Sequence, residues 1–190
     1  MDRLWSPWRL EYVTSADRKS GCIFCLGAGA AREGGPPSQH RPVGSRSDPT
    51  LAEAAEALDQ RSLIVYEGTT CYVILNLYPY NNGHLMVVPY RHVATLGELT
   101  DTELHEIAVL TQRSEAALTE TYRPHGMNIG MNLGKPAGAG VEEHLHVHVV
   151  PRWSGDTNFM TVVGEMRVLP EDLGASAARL RPIFGRLASL

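Results

Sequence analysis

Apolar and polar positions change rhythm several times along the chain, and each rhythm predicts an element. Residues 63–66 and 71–75 are β-rich runs separated by Glu67-Gly68-Thr69-Thr70, a pattern that predicts a hairpin. Residues 76–83 hold Pro79, Asn81, Asn82 and Gly83 and predict a turn; the strand expected at 84–88 ends at Pro89. Thr100 followed by Glu103 forms the signature of a helix start, a capping box. Leu104, Ile107, Ala108 and Thr111 follow at helical spacing toward Leu118, and Arg123-Pro124 is expected to stop this long helix. Further strands are predicted at 127–132 and 145–150, with weaker ones at 159–163 and 167–169. Residues 170–190 predict a closing helix with a break near Pro182. Strands gathered around one long helix predict an α+β fold on an antiparallel sheet.

The first third of the chain has another texture. Residues 26–49 are rich in Gly, Ala, Pro, Ser and Arg and read as a long loop or insertion. Asp48 and Pro49 at its end suit the start of a short helix over 51–58. There is no internal repeat. The expected organisation is an N-terminal segment over 1–62, a catalytic domain over 63–163 and a C-terminal extension over 164–190.

Composition narrows the function classes. The 190 residues are 43% hydrophobic and 20% charged, ordinary values for a soluble domain. A formal charge of -4 provides no broad basic field, so nucleic acid is not the expected partner. No apolar run has the length of a membrane span, and the N-terminus lacks the apolar centre of a signal peptide, so a cytoplasmic location without membrane partners is expected. Three cysteines, an odd number, fit a reducing compartment better than a disulfide framework.

The chemistry concentrates in His144-Leu145-His146-Val147-His148-Val149-Val150. In a strand, alternate side chains share a face, so the three histidines are expected on one face and the aliphatic residues on the other. The loop 134–140, with glycines at 134, 138 and 140, would let backbone N–H groups approach an anion. Imidazoles beside an amide-rich loop suit phosphoryl or nucleotidyl chemistry. Surface histidines without a role, or a metal site at the triad, are the alternatives.

This segment resembles the histidine-triad (HIT) superfamily, with its His-x-His-x-His signature followed by apolar residues. The continuation Val149-Val150-Pro151-Arg152, then Gly155-Asp156, with Trp153 and Asn158-Phe159, resembles the bacterial branch acting on diadenosine polyphosphates. Residues 76–89 resemble the family's Asn…Pro-Gly-His segment, with Asn82 in place of the proline, and Trp5, Trp8, Arg9 and Tyr12 resemble that branch's N-terminus. The resemblance spans about residues 63–163. It implies a HIT-like fold, with a sheet of about five strands, one long helix and a C-terminal helix, and sheets joined in a homodimer.

The resemblance also implies roles. His146 attacks the α-phosphorus, His148 contacts the phosphate oxygens, and His144 completes the catalytic triad. Asn76, His84, Asn132, Gly138, Ala139, Gly140, Val141 and Trp153 are the implied substrate-binding residues, for an adenine nucleotide, with no catalytic metal required. Many relatives carry Gln and then Ser or Thr where this chain has Gly140 and Val141. Phosphoramidate hydrolysis and non-enzymatic nucleotide sensing remain the alternatives to dinucleoside polyphosphate cleavage.

Cys22-Ile23-Phe24-Cys25 has a zinc-type spacing. In the resembled branch such a pair is completed by two histidines, here His92 and His144, as a closed structural zinc site. Two free or buried cysteines are the alternative.

Overall fold

The computed structural model describes residues 22–26, 60–156 and 171–189. Outside them lie the expected helix over 51–58, nearly all of the 26–49 insertion, the strands expected at 159–163 and 167–169, and Trp5, Trp8, Arg9, Tyr12, Asn158 and Phe159.

Five antiparallel strands form one sheet: β1 (Ile64–Glu67), β2 (Cys71–Leu75), β3 (Leu85–Pro89), β4 (Gly126–Gly130) and β5 (Val147–Arg152). Their order across the sheet is β1-β2-β3-β5-β4. The expected hairpin is β1–β2, and its turn is held by one carboxylate. Glu106 accepts bonds from the amides of Thr69, Thr70 and Cys71 and from the Thr70 hydroxyl. Every residue of β2 and β3 is buried, so both faces of the sheet's centre are covered.

Helix α1 (Asp101–Tyr122) packs on β2, β3 and β5. Its capping box is present as expected: the Glu103 amide donates to Thr100 Oγ1, and the Thr100 amide donates to the Glu103 carboxylate. It ends where Arg123 turns left-handed at φ 47°, ahead of Pro124. Its buried stripe differs from the expected one. Glu103, Ile107, Leu110, Ser114, Ala117 and Leu118 face inward, whereas Leu104 is 39% exposed and Ala108 is exposed. The stripe is rotated because Glu103 is neutralised where it enters: Arg91 Nε and Nη2 each lie 2.7 Å from its carboxylate. Burying a leucine such as Leu110 contributes roughly 1.5–3 kcal/mol.

Helix α2 (Leu173–Leu187) is capped by Asp172, whose carboxylate accepts the Ala175 amide, and packs on β1 and α1. The break expected near Pro182 does not occur; the helix continues through it. Leu180 and Phe184, on either side, are fully buried, and Arg181 donates to the carbonyls of Ser62 and Ile64. These anchors offset the roughly 3 kcal/mol that an interior proline costs a helix. No helix among the described residues is long and apolar enough to cross a membrane.

Candidate active site

Strand β5 begins at Val147, so His144 lies in a bend ahead of it, and only His148 of the three histidines is within the strand proper. The imidazoles of His146 and His148 are neighbours, with centroids 4.8 Å apart. The ring of His144 is instead turned to the cysteines, its Nδ1 lying 3.2 Å from Cys22 Sγ and 3.7 Å from Cys25 Sγ. The expected row of three imidazoles is thus a pair plus a third committed elsewhere, because the extended ladder that would align them starts too late.

Main-chain groups fix where the imidazole protons lie. His146 Nδ1 is 2.8 Å from the His144 carbonyl oxygen, which only accepts, so Nδ1 carries the proton and the Nε2 of neutral His146 carries a lone pair. His144 Nε2 donates in the same way to the Pro89 carbonyl at 2.9 Å, which turns the Nδ1 lone pair of neutral His144 toward the sulfurs. For His84 the logic reverses. The Tyr80 amide donates to His84 Nδ1 at 3.1 Å, so neutral His84 bears its proton on Nε2. That nitrogen is 3.0 Å from His148 Nδ1, which must accept, and the proton of neutral His148 is therefore on its own Nε2. Burial pushes the pKa of His146 below the ordinary imidazole value, against the bond to the His144 carbonyl. Burial lowers that of His144 as well, opposed by the Pro89 carbonyl.

Of the other residues singled out in the sequence, Asn76 lies beside His84. Its Oδ1 accepts the Tyr78 amide at 2.9 Å, and its Nδ2 is 3.4 Å from His84 Nδ1. His84 itself is fully buried and contacts His148. The β4–β5 register pairs Gly130 with His148, and Asn132 lies two residues beyond the end of β4. Asn132 Nδ2 donates to the Gly138 carbonyl at 3.3 Å, fastening the loop that carries Gly138, Ala139, Gly140 and Val141. Gly138 adopts φ +92°, a conformation that favours glycine. Trp153 follows β5 at its far end, its amide 3.3 Å from Asp156 Oδ2.

Family position makes Phe24, with Ile23, Leu75 and Leu77, an expected apolar lining residue of the nucleotide pocket, and two further features, at Asn81 and Tyr80, escaped sequence reasoning. Phe24, 5% exposed, lies between the two cysteines in sequence and against both His144 and His146, with centroids 5.6 and 4.9 Å away. Asn81 Nδ2 donates to the Pro151 carbonyl and to Asp156, and Asp156 also pairs with Arg152, so the turn before β3 is tied to the end of β5. Tyr80 stacks on His84. An asparagine and a tyrosine in a turn are too common to single these two out.

Cys22, Cys25, His92 and His144 form one group whose donor atoms all lie within 4.8 Å of one another, and it can hold a metal ion. Cys25 Sγ is 3.3 Å from His92 Nδ1. The sulfur–nitrogen distances are near the roughly 3.5 Å edge of a tetrahedral zinc site with two sulfur and two nitrogen ligands. The lone pair that the Pro89 bond leaves on His144 Nδ1 is the donor such an ion requires. These residues fit zinc.

A match to the HIT domain family covers residues 57–155. An AP-4-A phosphorylase of Mycobacterium tuberculosis is 42% identical over 173 residues, covering 90% of this chain and 78% of that protein. A bis(5'-adenosyl)-triphosphatase of Dictyostelium discoideum is 29% identical over 133 residues, covering 67% of this chain and 89% of that protein. Among solved structures, a Zn-bound histidine triad family protein from Mycobacterium smegmatis superposes with a TM-score of 0.56 at 28% identity, covering 73% of this chain and 94% of that one. The paired imidazoles, the sheet that carries them and the extent of these matches lead to one conclusion: the chain belongs to the HIT domain family.

Proposed function

We propose that this protein cleaves dinucleoside polyphosphates of the diadenosine tetraphosphate type through a covalent nucleotidyl-histidine. The observation that carries this reading is the bond from His146 Nδ1 to the His144 carbonyl, which fixes a lone pair on His146 Nε2. The named activities of the mycobacterial and Dictyostelium relatives support the substrate class.

In the first step His146 Nε2 attacks the α-phosphorus. The bond to the bridging oxygen breaks, and the nucleoside polyphosphate leaves with its electron pair. That leaving group is a stable anion, so strong general-acid help is unnecessary. His148, with its proton on Nε2, donates to a phosphate oxygen as charge develops. Asn132 and the amides of Gly138, Ala139, Gly140 and Val141 hold the phosphates, Asn76 contacts the nucleotide, and Trp153 stacks on a base. His144 contributes its carbonyl to the tautomer of His146. In the second step water or inorganic phosphate attacks phosphorus and releases the histidine.

Zinc at Cys22, Cys25, His92 and His144 is structural in this reading, a closed crosslink between the N-terminal turn and the segment leading into β5. The protein works as a cytoplasmic homodimer. Support for the dimer comes from β4, which is at the edge of the sheet, with Ile129 47% and nearby Leu133 42% exposed.

Product analysis with diadenosine tetraphosphate tests the function. ADP and ATP formed only when phosphate is present identify a phosphorylase, and AMP with ATP an asymmetric hydrolase. Turnover at the original rate in His146→Gly sinks the covalent scheme.

A further inference from the structure

We propose that Tyr80 is a positioning residue for His148, acting through His84; the inference rests on the roles given above to His146 and His148. Tyr80 makes two different contacts with the same imidazole. Its amide donates to His84 Nδ1 at 3.1 Å. Its phenol ring lies over the face of His84, with centroids 4.9 Å apart and planes only 18° from parallel. The same phenol ring is tilted against His148 at 6.2 Å and 49°.

The two contacts divide the task. The amide decides which nitrogen of His84 bears the proton, and therefore that His148 Nδ1 accepts and His148 Nε2 donates. Any residue at position 80 other than proline supplies that amide. The stacked ring resists tilting of the His84 plane, which would misdirect the Nε2–H bond to His148 Nδ1, 3.0 Å away. Only an aromatic side chain offers such a face. Once the His84 bond loosens, neutral His148 is free to carry its proton on Nδ1. Its Nε2 would then present a lone pair to an anionic phosphate, which is repulsive where a donor is needed.

The effect is assigned to the ring face and not to the hydroxyl. Tyr80→Phe is expected to hold kcat within about twofold of wild type, whereas Tyr80→Leu lowers kcat roughly tenfold with KM changed by no more than about twofold. Tyr80→Met repeats the test with a more adaptable apolar side chain should the leucine variant fold poorly. The decisive readout is the long-range 1H–15N spectrum of His84 and His148 in the full chain without substrate. Wild type and Tyr80→Phe should show the Nε2–H tautomer at both histidines, and Tyr80→Leu a mixture at His148. An unchanged tautomer pattern and kcat in both Tyr80→Leu and Tyr80→Met overturn the proposal. So does a Tyr80→Phe loss as large as that of Tyr80→Leu, since the hydroxyl would then be the working group. The spectrum needs no turnover, so a failure of the nucleotidyl-histidine scheme, read from His146→Gly, is told apart from a failure here.

Discussion

The Nδ1 of His146 is 2.8 Å from the carbonyl oxygen of His144, so the proposed nucleophile is hydrogen-bonded to the backbone of a residue in the metal-binding group. Phe24 adds a second link, packed against both rings from a turn that holds the two cysteines. Its carbonyl accepts the buried Tyr72 hydroxyl at 2.8 Å, which fastens that turn to β2.

Metal removal should therefore affect both stability and turnover. Cys22→Ser is expected to lose at least about 2 kcal/mol and to melt roughly 4–8 °C below the zinc-loaded protein. Chelator-treated wild type should melt alongside the variant in a calorimetric scan. Wild type that keeps its melting temperature after chelation would show that these four residues carry no stabilising ion.

Gly83 allows no side chain. It adopts φ +73°, and a Cβ there would lie 2.7 Å from Tyr122 Cε2 and 2.9 Å from Leu118 Cδ2. Gly83→Ala should destabilise the protein by about 2–3 kcal/mol in urea titration. It should also reduce turnover, since His84 is the next residue.

Glu103 gives the fold an acid dependence of known sign. Arg91's hydrogen bonds, with help from the Thr100 amide and hydroxyl and against burial, hold its carboxyl down to about 2. A depressed carboxylate contributes stability above the ordinary glutamate range, and that contribution is lost as pH falls from there toward 2. Glu103→Gln should be less stable than wild type at neutral pH, and the gap should narrow on acidification. Urea midpoints at pH 7 and pH 3 check this; a gap that widens contradicts it.

The edge strand β4 supplies a test of assembly. Ile129→Lys places a charge on the proposed interface and should shift sedimentation from dimer to monomer, with the far-UV spectrum unchanged. Monomeric wild type would refute the interface outright.

Features governed by neighbours along the chain are legible from the residues alone. The Thr100–Glu103 box and the Arg123-Pro124 stop are local, and both helix ends follow them. The β1–β2 hairpin follows from two short β-rich runs across a turn. Features decided by distant partners are not legible in this way. Hydrophobicity alone places Leu104 inside and Glu103 outside, and the reverse holds because Arg91 comes from another segment to meet the carboxylate. Pro182 stays helical because Arg181 reaches carbonyls more than a hundred residues away. Cys22 and His144 are 122 positions apart, and within the sequence only the likeness to a family joins them. Tyr80 gives no signal, since its stacking depends on the path of the turn.

Carbonyls at 89 and 144 and an amide at 80 dictate the hydrogen placement on three imidazoles. Backbone atoms are common to nearly all amino acids, so the placement on these three rings follows from the course of the polypeptide and not from the identity of a donor or acceptor side chain. Substrate preference is thereby free to drift through the surrounding side chains without rewriting which nitrogens give and which receive.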